Sequence, residues 1–206
     1  MPYHPPRLLI IPGLRDSGPT HWQSWLQIQY RDARRVQQRD FSTPDLPRWS
    51  ERIQRTLESA ESDGHRGGWI AVAHSFGCLA LAEHLAARPD SPIREALLVA
   101  PADTDRRPFF AGVPLRPLPF PSILVASDND PHLELERARL FARHWGSRLV
   151  NLGQAGHINV ESGFGPWPEG ETLLAELRAG ALRPPAGLPV PTVFGSPPAL
   201  AASTAI

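Results

Sequence analysis

The stretch Gly67–Arg88, GGWIAVAHSFGCLALAEHLAAR, constrains the fold of this chain more than any other. Its first part is a near-continuous apolar run that ends at His74. A run of this kind fits a strand buried on both faces, and such strands belong to parallel sheets covered by helices on each side. Its second part, Phe76–Arg88, is rich in Leu and Ala and reads as a helix, with only Ser75 between the two. The alternation recurs along the chain. Arg7–Pro12, Ala33–Gln37, Glu95–Ala100, Ser122–Ser127 and Arg148–Leu152 read as further short strands. Helical patterns lie between them at Thr20–Tyr30, Asp45–Ser62, Leu133–Trp145 and Glu171–Ala179. In the second of these Leu46, Trp49, Ile53, Leu57 and Ala60 share one face, with Asp45 at the N-cap and Pro47 in the first turn. Strands alternating with helices imply βαβ units, here an α/β fold built as a three-layer α/β/α sandwich with a mostly parallel central sheet.

Length and composition narrow the function. With 206 residues the chain fits one domain, read as residues 1–182, followed by a Pro/Ala-rich, flexible tail at 183–206 that carries no charge after Arg183. The 21 basic and 21 acidic residues balance, which argues against a nucleic-acid binder. No lysine occurs, so Schiff-base catalysis by the chain is excluded, and one cysteine excludes a disulfide framework or a Cys-based zinc cluster. No stretch reaches the ~18–20 apolar residues of a membrane span. The run Leu8–Ile11 is too short for a signal-peptide core, so a soluble cytoplasmic protein with no membrane partner is expected. The connection Pro101–Pro121 carries six prolines and no helical period, and a loop this long inside a domain is usually functional or disordered.

In open α/β sheets ligands bind beyond the carboxyl ends of the strands, so the residues just after each strand matter most. Ala73-His74-Ser75-Phe76-Gly77 is close to G-x-S-x-G, a sharp strand-to-helix turn that lifts the serine Oγ above the sheet. The alternative role for Ser75 is to cap the helix. After Ser122–Ser127 come Asp128 and Asp130; an acid there fits the need to orient a histidine, and Asp130, just before Pro131, is favoured over Asp128. His157 follows the last strand in a glycine-containing loop. The chain order Ser75, Asp130, His157 is that of the α/β-hydrolases. A tetrahedral oxyanion needs two backbone donors: Phe76 N–H at the helix start, and Leu14 N–H beside Gly13, with Arg15 second. His21 and Trp22 either shape a pocket or pack locally. Phe109, Phe110 and Val113 either form an apolar acyl pocket or cover the core. Cys78 sits on the buried helix and reads as core, not as a nucleophile.

Five segments carry a family resemblance: IPGLRDSGPTHWQSW (Ile11–Trp25), VAHSFGC (Val72–Cys78), ASDNDP (Ala126–Pro131), FARHWGSRLVNLGQAGHIN (Phe141–Asn159) and ESGFGPWPEG (Glu161–Gly170). The chain resembles the small serine hydrolases related to retinoblastoma-binding protein and bacterial YdeN, within the α/β-hydrolase superfamily. The resemblance implies an α/β-hydrolase fold without a large cap domain and puts the nucleophile on Ser75, the acid on Asp130 and the base on His157. It implies a serine hydrolase, carboxylesterase-like, acting on a small acyl substrate of ester, amide or thioester type with no metal or organic cofactor. Two other functions stand beside it: a non-catalytic protein-interaction module on the same fold, and an acyltransferase using the same three residues. Ala73 departs from the usual glycine.

Overall fold

The computed structural model describes residues 6–103 and 112–179. Each central strand divides its side chains between two cores, as period-2 alternation requires. Along β1 (Arg7–Ile11), Leu9 and Ile11 face one core and Leu8 and Ile10 the other; along β3 (Trp69–His74), Ala71 and Ala73 oppose Ile70 and Val72. With β2 (Arg34–Arg35), β4 (Ile93–Val99), β5 (Ser122–Ala126) and β6 (Arg148–Asn151) they form a six-stranded sheet of order β2-β1-β3-β4-β5-β6. Every neighbouring pair is parallel; Ile10 sits opposite Val72, Val72 opposite Leu97, and Leu97 opposite Ile123.

Helices cover both faces. α2 (Leu46–Ser62), α3 (Phe76–Ala87) and α4 (Leu135–Trp145) close the core that holds Leu9, Ala71 and Leu98. The other core, with Leu8, Val72 and Val99, is closed by α1 (Trp22–Gln29) and α5 (Pro168–Arg178). The result is the expected α/β/α sandwich. Asp45 caps α2 as its sequence suggests, its carboxylate accepting the Arg48 N–H at 3.0 Å. α3 is buried nearly all round, which matches its lack of a polar face and its central place.

Boundaries move where local side chains intervene. The cap of α1 is His21, not Thr20, because the His21 Nδ1 accepts the Gln23 N–H. α4 begins at Leu135, two residues later than expected, after the turn that Asp130 organises by accepting the His132 N–H. α5 begins at Pro168, three residues earlier, with the proline in the first turn where no N–H is needed. A 3-10 turn at Val160–Ser162 has no apolar period to announce it. The expected tail at 183–206 lies outside the described residues. No helix among the described residues is long and apolar enough to cross a membrane.

The strand order reverses at β1. The chain leaves β1 for β2 on one side and then returns across to β3 on the other. Crevices at such switch points, beyond the carboxyl ends of the strands, are where ligands bind in α/β sheets. Gly13 follows β1 and Ser75 follows β3, and a methyl group added at Gly13 would stand 2.8 Å from the Ser75 Cβ.

Candidate active site

Ser75 occupies the turn between β3 and α3 with φ +52° and ψ −122°. A side chain in that region costs roughly 1–3 kcal/mol and survives only where the surroundings over-determine it. Here they do. The Ser75 N–H donates to Val99 O on β4 at 3.0 Å, and the Ser75 O accepts the Cys78 N–H at 3.0 Å. Gly77 lets α3 close onto β1: a Cβ there would meet Ile11 O and Pro12 O, both at 2.5 Å. Ala73, in place of the usual glycine, is fully buried in the core beneath the turn, so its methyl is accommodated. Ser75 makes no side-chain cap bond to its helix. Its Oγ instead lies 3.0 Å from His157 Nε2.

His157 follows β6 in a loop tied down on both sides. Gly156 has φ +56°, and a Cβ there would collide with the Ser162 side chain. The Ser162 Oγ accepts the His157 N–H at 3.0 Å and is itself oriented by Asn159 Oδ1. Ser127 Oγ donates to Gly156 O at 2.6 Å, and the Gly156 N–H reaches Asn129 Oδ1 at 2.7 Å. His157 Nδ1 lies 3.0 and 2.9 Å from the two Asp130 carboxylate oxygens. Asp130 is buried and also accepts the His132 N–H at 2.8 Å. Asp128, its rival two residues earlier, is exposed and accepts from Asn151 Nδ2 at 2.7 Å, away from His157.

Ser75 and His157 open onto a cavity of about 770 Å³, with Asp130 buried behind His157. Leu14 lines it, and the Leu14 N–H has no partner among the described residues, whereas the Arg15 N–H donates to Phe41 O at 2.9 Å. Phe76 opens α3 with its backbone at the turn, its ring buried against Trp49. His21 lines the cavity, as expected. Trp22 does not: it is buried behind His21, and its Nε1–H donates to Ile158 O at 2.9 Å. Val113 does not line it either, because it is buried in the core closed by α2, α3 and α4. Phe109 and Phe110 lie outside the described residues. Two histidines that sequence reasoning left without a role stand beside the site. His74 lines the cavity one residue before Ser75, and the His132 ring meets His157 edge-on at 4.5 Å between centroids.

Burial governs the charge state here. It lowers His21 to about 4, helped by the Arg35 guanidinium and then by His157. Burial, with His157 and His21 nearby, holds His74 well below the ordinary histidine value. Both are neutral at pH 7. Because Nδ1 of His21 is an acceptor, its proton sits on Nε2. Burial raises the Cys78 thiol, and the Sγ–H donates to Val99 O, so this cysteine is an inert core residue. Among the described residues no group of three or more His, Cys, Asp or Glu is placed to hold a metal ion.

Comparison with known proteins agrees with this architecture. The model of the serine hydrolase family matches residues 8–176, and the chain belongs to that family. A YdeN-like hydrolase of Pectobacterium atrosepticum is 36% identical, with a TM-score of 0.77 over 87% of this chain and 94% of that one. The ydeN gene product of B. subtilis shares the fold at 19% identity, with a TM-score of 0.65 over 84% of this chain and 99% of its own. Est1E of Butyrivibrio proteoclasticus, solved with ferulic acid bound, shares it at 13% identity, with a TM-score of 0.65 over 84% and 90%. No curated protein matches the chain. The fold is that of the α/β-hydrolases, and no cap domain occurs among the described residues.

Proposed function

We propose that the chain hydrolyses small esters through an acyl-enzyme on Ser75. The observation that carries this reading is the continuous relay from Ser75 Oγ through His157 to Asp130, with contacts of 3.0 and 2.9 Å. His157 Nε2 takes the Ser75 proton as Oγ attacks the carbonyl carbon. The negative charge that develops on the carbonyl oxygen meets the N–H groups of Leu14 and Phe76; a donor of this kind is worth about 2.7–4 kcal/mol of barrier. Asp130 accepts the His157 Nδ1–H, which leaves Nε2 as the base and stabilises the imidazolium that forms. The imidazolium returns its proton to the leaving oxygen, and the alcohol departs. A water molecule then attacks the acyl-enzyme with His157 again as base, releasing the acid and restoring the Ser75 hydroxyl.

The cavity supports a short or polar acyl group. Apart from Leu14, Ala102, Pro131 and Val160, the side chains around it are mostly polar or charged, among them His21, His74, His132 and Asp103. Among the described residues a long alkyl chain would meet few aliphatic side chains there, and burial among polar and charged ones stabilises it less.

Labelling with a fluorophosphonate probe tests the nucleophile: wild type labels and Ser75→Ala does not. A series of p-nitrophenyl esters tests the acyl group, with kcat/KM expected to be highest for acetate and butyrate and to fall for decanoate. Equal labelling of the two proteins overturns the mechanism, and a preference for decanoate overturns the acyl assignment alone.

A further inference from the structure

Two successive carbonyls in the His157 loop each accept a hydrogen bond from a buried ring N–H. His74 Nε2 lies 3.0 Å from His157 O, and Trp22 Nε1 lies 2.9 Å from Ile158 O. A carbonyl only accepts, so His74 is the donor and carries its proton on Nε2. Both rings are buried, and they meet edge-on, 6.0 Å apart at 88°. Trp22 is backed by Trp167 at 5.3 Å, and His74 by His21 at 5.0 Å. Both donors are thus held against neighbouring rings.

What they hold is strained. Ile158 has φ +49°. That region is a genuine outlier for a β-branched residue, and it persists only where neighbouring contacts over-determine it. On the Gly156 side the loop is fastened by Ser127, Asn129 and Ser162. On the Ile158 side the two ring donors hold the carbonyls that flank the strained residue. Their release lets Ile158 relax to negative φ and turns the preceding peptide, which belongs to His157.

We infer that His74 and Trp22 form a ring N–H clamp that positions the His157 imidazole between Ser75 and Asp130. This rests on the proposed roles of those three residues. The clamp also ties the two halves of the site together, since His74 is bonded directly to Ser75 and reaches the loop that follows the last strand. Both are positioning residues: they act through His157 and not on the reacting atoms.

The test uses the full chain, p-nitrophenyl acetate and the fluorophosphonate probe. Trp22→Phe deletes the N–H together with three of the nine ring atoms, so the packing control is 3-benzothienylalanine at position 22, which keeps the fused ring and puts sulfur where the N–H was. In both variants kcat should fall about 10–100-fold, the loss expected from displacing a reacting group by up to ~1 Å, with KM changed less than about threefold. Probe labelling should slow by a similar factor, while the protein still unfolds cooperatively at a midpoint lowered by the unpaired Ile158 carbonyl. For His74 the contrast is between Gln, whose amide retains a donor near the Nε2 position, and Leu, which has none. Leu should lose kcat and Gln should recover most of it. A folded protein with either substitution at Trp22 and kcat within about twofold of wild type overturns the clamp, as does a His74→Gln protein no better than His74→Leu. Absence of any wild-type labelling would instead overturn the underlying hydrolase mechanism, so the two failures are distinct.

Discussion

Replacing Ser75 by glycine should make the protein more stable than replacing it by alanine, although both changes should abolish the proposed activity. In regular structure the order is the reverse, because glycine loses about 0.5–1 kcal/mol relative to alanine in backbone entropy. At Ser75 the backbone holds φ +52° and ψ −122°. For glycine this is the mirror image of an ordinary extended conformation near −52° and +122°, and an achiral residue adopts the two with equal ease. Alanine keeps the Cβ and hence the strain of roughly 1–3 kcal/mol. The hydrogen bond from Ser75 Oγ to His157 is lost in both variants and cancels from the comparison. The difference between strain and entropy favours glycine by about 0.5–2 kcal/mol. In a domain of this size 1 kcal/mol moves the thermal midpoint by roughly 2–4 °C, so the glycine variant should melt about 1–8 °C above the alanine variant. Calorimetry or urea denaturation reads the difference. A glycine variant less stable than the alanine variant would refute the claim that the turn stores strain at its serine.

Asp130→Asn should lower kcat by about 10³–10⁴-fold, the scale for a histidine left in the wrong tautomer, while Asp128→Asn, whose carboxylate accepts from Asn151, stays within a few-fold. Steady-state kinetics decides, and the reverse order would exchange the two roles. Gly77→Ala drives a methyl into Ile11 O and Pro12 O and should destabilise by at least about 1–3 kcal/mol; an unchanged urea midpoint contradicts the tight approach of α3 to β1. Acid should weaken the fold. His21 and His84 are both lowered from 6.5 to about 4, chiefly by burial. Between those values the unfolded chain binds protons that the native state does not, so stability is full above about pH 6.5 and declines as the pH falls toward 4. At pH 5 each histidine removes on the order of 2 kcal/mol, and urea midpoints that coincide at pH 7 and pH 5 would contradict their burial as neutral groups.

Most of the sandwich was legible because its signals are local. The apolar run before Ser75 becomes β3, and the Leu/Ala stretch after it becomes α3. Asp45 and Pro47 mark the start of α2 by chemistry that acts within one turn. Legibility fails where a side chain answers to something distant. For Trp22 the sequence leaves a pocket role and local packing open, and what decides between them is a carbonyl 136 positions away. Val113 followed a strand too, yet the packing of three helices draws it into the core. His74 stood inside the quoted motif without a role, since its acceptor lies 83 residues further on.

The sequence by itself therefore determined the periods, caps and breaks, and with them the class of fold and the serine, acid and histidine in their order. Backbone geometry repeats every 2 or 3.6 residues, so a few neighbours suffice to set it. Tertiary structure decided which of two nearby aspartates meets His157, that the Arg15 N–H is taken by Phe41 while the Leu14 N–H has no partner among the described residues, and which buried rings reach the carbonyls of the histidine loop. Those outcomes depend on where strands remote in sequence end relative to one another. Parallel pairing of β1, β3, β5 and β6 into one sheet brings those ends to a common edge, and no local pattern records the distances there.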